Sequence, residues 1–208
     1  MTRLERAYGS AGTGWVIAVL CIGNFLAYFD RSIINAVLPL VKTDFALSDR
    51  DLGLLQGSLF ALAYVAGSLC CWWVPPRRAT MLLLGGIAVW TIGEASASIS
   101  VGVVQLATAQ ILVGLGQAAF IPIALSFVAA ERGRVGFAVS LFTASSTLGR
   151  SLSVLCAGLA LVWLSILHTG TSWRSLYGGM AGAGVILLAR QTPVADRLRA
   201  LRLSITLA

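Results

Sequence analysis

The chain has 208 residues, 58% of them hydrophobic, a mean hydropathy of +0.88 and a net charge of +7. That composition excludes a soluble enzyme or binding domain, because a water-wetted surface needs more polar side chains than it supplies. In such a chain the basic excess points to membrane topology and anionic lipid headgroups rather than to nucleic acid.

A short N-terminal segment (1–14) precedes six apolar runs, expected at about Trp15 to Val41, Leu52 to Val74, Ala79 to Ile99, Gly102 to Ala130, Val135 to Leu167 and Ser175 to Ala189. A bilayer core of about 30 Å accepts roughly 20 apolar residues as one helix. Lipid offers the backbone no hydrogen-bond partner, and the runs lack the period-2 alternation of barrel strands, so each reads as a transmembrane helix. The first run is too long for the apolar region of a cleaved signal peptide. Residues 191–208 place Arg197, Arg199 and Arg202 beside Leu198, Leu201 and Leu203, a basic interfacial tail too short to span. The fold class is therefore an all-α polytopic membrane protein with its six-helix membrane domain at 15–190.

The gaps sort by charge. Arg3, Arg6, Arg77, Arg78, Arg132, Arg134, Arg190, Arg197, Arg199 and Arg202 fall on one side, and Lys42, Arg50 and Arg174 on the other. The positive-inside rule then puts both termini in the cytoplasm of a multi-pass cell-membrane protein. Cys21, Cys70, Cys71 and Cys156 have neither a CxxC spacing nor a nearby histidine, and they read as packing residues; no metal or cofactor is expected. His168 reads as a solvated loop residue. Gly114, Gly116 and Ala119 form a GxGxxA string inside an apolar helix, where small-residue packing replaces the nucleotide-binding reading. The four-residue spacings of Gly53 with Gly57 and of Gly178 with Gly182 suggest further close helix approaches.

Several ordered motifs carry a family resemblance. Asn24-Phe-Leu-Ala-Tyr-Phe-Asp-Arg31, Leu47-Ser-Asp-Arg-Asp-Leu-Gly-Leu-Leu-Gln-Gly57 and Phe60-Ala-Leu-Ala-Tyr64 resemble the first two helices of the major facilitator superfamily, in its Spinster-like branch. Gln110-Ile-Leu-Val-Gly-Leu-Gly-Gln-Ala118, followed by Pro122, Ala124 and Ser126, is similar to that branch's helix 4, and Trp173-Arg174 fits the start of its helix 6. The resemblance implies two six-helix halves, a solute cavity between them near the midplane, and alternating access. Only the N-terminal half is present here. The partners it implies are the bilayer, a small solute, and a second six-helix half or another copy.

Two departures bear on mechanism. In the loop between helices 2 and 3, Gly67, Leu69, Arg77 and Arg78 match the family's gating motif, but Cys71 and Trp72 replace its Asp and Arg. On helix 4 the family's Arg and Glu become Gln110 and Gln117. Seven residues apart, these amides share one side of the helix and can hydrogen-bond, yet neither can exchange a proton.

Charges remain inside the runs. Asp30 and Arg31 lie about 22 Å along the first helix, Arg150 is similarly deep in the fifth, and Glu94 sits in the outer third of the third. Each would cost about 2.5 to 3.5 kcal/mol unpaired at the midplane, so a cavity or a partner is expected. Asp30 and Arg31 either border a substrate path, as the resemblance implies, or fix helix 1 to a neighbour. Arg150 either restores the charge missing at Gln110, partners Asp30, or reflects loss of selection. Helix 3 lies on the outer side of the family's half, so Glu94 is expected to reach headgroups. Asp30 is then the only deep carboxylate, and transport should depend weakly on a proton gradient. The leading functional expectation is a half of a secondary transporter for a small organic solute, anion or amphiphile, with Asp30, Arg31, Gln110, Gln117 and Arg150 along its path. The alternative is a truncated, non-transporting membrane protein acting as a scaffold or partner subunit. An enzyme is not expected, because the runs hold no clustered His or acid pair.

Overall fold

The computed structural model describes residues 3–75, 78–129, 135–166 and 173–206, with side chains described for 14–55, 57–75, 78–129, 135–163 and 173–191. Six helices follow one another: α1 (Arg3–Phe45), α2 (Asp49–Trp72), α3 (Ala79–Ser98), α4 (Val103–Ala129), α5 (Val135–Ile166) and α6 (Arg174–Thr206). Arg77, Arg132, Arg134, His168 and the side chains of the terminal segments lie outside the described residues. The first helix begins before the apolar run does. The last continues past Ala189 as backbone helix to Thr206, so the basic tail extends α6. Five of the helices are long and apolar enough to cross a membrane.

Local chemistry sets the helix ends. The turn after α1 places Ala46 in the left-handed region, with φ 49°. Ser48 then caps α2: its Oγ accepts from the Asp51 backbone N–H at 3.2 Å, and Asp51 Oδ2 accepts from the Ser48 N–H at 3.2 Å. This reciprocal box satisfies two otherwise orphaned donors, which gives the Leu-Ser-Asp stretch its physical meaning. Pro75 and Pro76 follow the end of α2, where proline's missing N–H cannot continue a helix. Within α2, Leu54–Leu59 widens to a π-helical turn.

α3 packs between α4 and α6, α2 lies on α4, and α1 lies along α5. The main core gathers Leu20 and Ala27 of α1, Leu83, Ile87 and Trp90 of α3, Phe120 of α4 and Phe142 of α5. A second core at the other end joins Val37, Leu106, Trp173 and Tyr177. Glycines allow the closest approach: a Cβ on Gly116 would stand 2.5 Å from the Gly86 carbonyl oxygen, and one on Gly114 would stand 2.8 Å from that of Phe60. The GxGxxA string is thus a packing surface. Gly53, Gly57 and Gly182 meet nothing within 4 Å, and Gly178 meets only Ser98 at 3.8 Å, which corrects the expectation of close contact there.

A clamp ties the end of α1 to the start of α6 and to the turn between α3 and α4. Asp44 Oδ2 accepts from Trp173 Nε1 at 2.9 Å and from Arg174 Nη1 at 2.8 Å, while Arg174 Nε donates to the Ser100 carbonyl at 2.7 Å. Burial is uneven: half of the most apolar window is buried in α1 and in α4, but only 22% in α5 and 6% in α2.

Candidate functional site

Asp30 and Arg31 sit where α1 passes α3 and α4. Asp30 is 4% exposed, and its Oδ2 accepts from Gln117 Nε2 at 2.7 Å and Trp90 Nε1 at 3.2 Å. Arg31 turns the other way. Its Nε donates to Gln117 Oε1 at 2.7 Å, so one amide joins the cation and the carboxylate. A glutamate at that position could not donate to Asp30, whereas an amide offers both a donor and an acceptor.

Three rings surround the guanidinium: Tyr64 at 4.6 Å from the ring centroid, and Tyr28 and Phe60 at 4.9 Å each. Such faces attract a cation and exclude water without neutralising it. Among the described residues Arg31 Nη2 is buried with no hydrogen-bond partner. Arg150, from α5, stands 4.4 Å over Tyr28, so the two arginines share that ring. Among the described residues Arg150 forms no ion pair with Asp30. Gln110 points to the same side of α4 as Gln117 and donates from Nε2 to the Tyr177 hydroxyl at 3.1 Å. A cavity of about 280 Å³ is lined by Asp30, Arg31, Gly57, Phe60, Gln110 and Tyr177, with Ile34 and Val113; Gln117 and Arg150 stand outside its lining. The π-helical turn of α2 contributes Gly57, and such turns recur at functional sites because they locally widen a helix.

Glu94 corrects the expectation of a headgroup contact. It is 1% exposed and its Oε1 accepts from Trp90 Nε1 at 3.2 Å, the same N–H that reaches Asp30. The reason is packing: α3 turns Leu83, Ile87, Trp90 and Glu94 into the bundle between α4 and α6. Asp30 is therefore not the only deep carboxylate. The signal was present, because Glu94 lies fifteen residues after Ala79 and Asp30 fifteen after Trp15, in two helices that enter from the same side. Tyr28, Tyr64, Trp90 and Tyr177 were also not picked out as site residues, since an aromatic side chain in an apolar run carries no distinguishing pattern.

Of the gating motif, Gly67 packs on α4, where an added Cβ would lie 2.8 Å from that of Ala118; Leu69 and Arg78 are exposed. Cys71 and Trp72 line a second cavity of about 370 Å³, together with Tyr64, Pro122 and Ser126. Among the described residues none of its lining side chains is charged.

A model of the Major Facilitator Superfamily matches residues 20–200. The human protein spinster homolog 1 is 32% identical over 128 residues, 58% of this chain and 24% of that protein. The cephamycin export protein CmcT of Amycolatopsis lactamdurans is 29% identical over 200 residues, covering 91% and 38%. The probable sulfoacetate transporter SauU of Cupriavidus necator is 24% identical over 178 residues, covering 78% and 40%. The fold is similar to the crystal structure of a bacterial homologue of the human lysosomal transporter Spinster, inward-facing and unoccupied. There the TM-score is 0.65 at 21% identity, over 92% of this chain and 42% of that one. The chain spans less than half the length of these relatives.

Proposed function

This chain belongs to the major facilitator superfamily, in its Spinster-like branch, and from that premise we propose that it is the N-terminal half of a secondary transporter for a small organic anion. The observation that carries the reading is Arg31: a guanidinium caged by three rings, with a buried Nη2 that no group among the described residues satisfies, at the edge of a cavity between α1, α2, α4 and α6. A carboxylate, sulfonate or phosphate would complete its hydrogen bonding. Arg150, across Tyr28, adds a second positive charge on the side that α5 leaves open. Gln110 and Tyr177 offer polar contacts along the cavity wall, and Gln117 holds Arg31 in place. The name of one relative, a probable sulfoacetate transporter, fits an anionic solute.

The exposed apolar faces of α2 and α5 suit contact with a second six-helix body, either another protein or a second copy of this chain. Alternating access would then rock the two bodies about the Arg31 cavity. Both termini lie in the cytoplasm in this reading. The test is counterflow of a panel of radiolabelled organic anions into vesicles holding the purified preparation. Uptake lost by about tenfold or more in Arg31→Gln, with helix content retained, is expected, since one charge-assisted hydrogen bond contributes about 1.5 to 3 kcal/mol. Uptake of neutral solutes only, or uptake indifferent to Arg31, would overturn the anion assignment.

A further inference from the structure

Glu94 has no part in holding the anion, yet it is a carboxyl group buried at 1% exposure. Its Oε2 is buried and meets no hydrogen-bond donor among the described residues. Its Oε1 and Asp30 Oδ2 each stand 3.2 Å from the Trp90 indole nitrogen, which makes the two carboxyl groups neighbours. Adjacent carboxylates share a hydrogen bond only when a proton sits between them, and bare like charges so close in a water-poor site repel strongly.

The surrounding elements supply little to offset two negative charges. α1 contributes Arg31, whose Nε is already bonded to Gln117. Among the described residues α4 contributes the neutral amides of Gln110 and Gln117, α6 the hydroxyl of Tyr177, and α2 Gly57 and Phe60. Arg150 of α5 stands over the far ring of Tyr28. One indole N–H, from Trp90, serves both carboxyl groups.

We propose that Asp30 and Glu94 form a proton-binding site, with the proton carried on Glu94 and shared with Asp30, so that α3 supplies the acid that Gln117 does not. A proton taken up by Glu94 leaves one negative charge, which the adjacent Arg31 balances. When the proton leaves, both carboxylates face that guanidinium and compete with the solute for it. On the reading of this cavity as an anion path, binding of proton and anion would favour one another, as in symport. The earlier expectation of weak proton dependence is thereby reversed.

Infrared spectroscopy of the full chain in detergent reads the site without requiring transport, so inactivity of the chain in uptake leaves this question separately decidable. A C=O band of a protonated carboxyl group is expected at neutral pH. The chain has three glutamates, Glu5, Glu94 and Glu131, and only Glu94 falls within an apolar run. Growth on glutamate carrying carbon-13 in its side-chain carboxyl should therefore shift the band in the unmutated protein, and Glu94→Gln should remove it. No band at neutral pH, a band unmoved by labelled glutamate, or a band that survives Glu94→Gln would each overturn the proposal.

Discussion

Gln117 shows how much one amide decides. Its Nε2 and Oε1 satisfy Asp30 and Arg31 at once, at 2.7 Å each, with no exposed surface. Replacing it by glutamate removes the donor to Asp30 and adds a third carboxyl group beside Asp30 and Glu94. Gln117→Glu should therefore lower stability by about 3 kcal/mol or more, the scale of an uncompensated buried charge. Gln110→Glu, which loses one bond to the Tyr177 hydroxyl, should cost less. Unfolding by titration with a denaturing detergent checks the order, and equal losses would remove the bridging role from Gln117. The seven-residue spacing made the common face of these glutamines legible in the sequence. Their partners were not, because periodicity reports which way a side chain points and not what an adjacent helix presents. Glu94 was misplaced for a related reason: assigning helix 3 an outer position by resemblance left out the inward face that Trp90 and Glu94, four residues apart, share.

At the scale of the helix, small-residue spacing proved informative in one place and not in another. Gly114 and Gly116 admit the backbones of α2 and α3, whereas Gly53 and Gly57 meet nothing, although it is the second pair that has the four-residue spacing of close-packing motifs. A helix pattern marks a thin face but not whether a neighbour fills it. Gly116→Leu should thus disrupt the contact between α3 and α4 by about 3 kcal/mol, at the upper end of overpacking costs. Gly53→Ala should be neutral or stabilise by up to about 1 kcal/mol through helix propensity. The same detergent titration separates them, and a large loss from Gly53→Ala would place an unseen neighbour on that face. The start of α2 gives a third expectation. Ser48→Ala removes the cap and should cost about 1 kcal/mol, restored in large part by Ser48→Asn. Six helices were legible, because lipid permits few backbone solutions; the cap at Ser48 and the stop at Pro75 were not picked out, although the residues that make them are local.

On the scale of the whole molecule, orientation and completeness govern function. On a background whose four native cysteines are replaced, Arg50→Cys should react with an impermeant thiol reagent added outside intact cells, and Gly133→Cys only after the membrane is opened. The reverse pattern would invert the topology. The central claim is that the Arg31 cavity is walled by this half on one side and by a second six-helix body on the other. Thr147 is exposed on α5, three residues before Arg150, while Ile92 is exposed on α3 away from the cavity groups. A photoactivatable cross-linking residue at each position, irradiated in native membranes, tests that claim most directly. The account predicts that position 147 captures a polytopic protein, this chain itself or another six-helix half, and that position 92 captures lipid. Capture of lipid alone at position 147, with the same yield as at position 92, would contradict it.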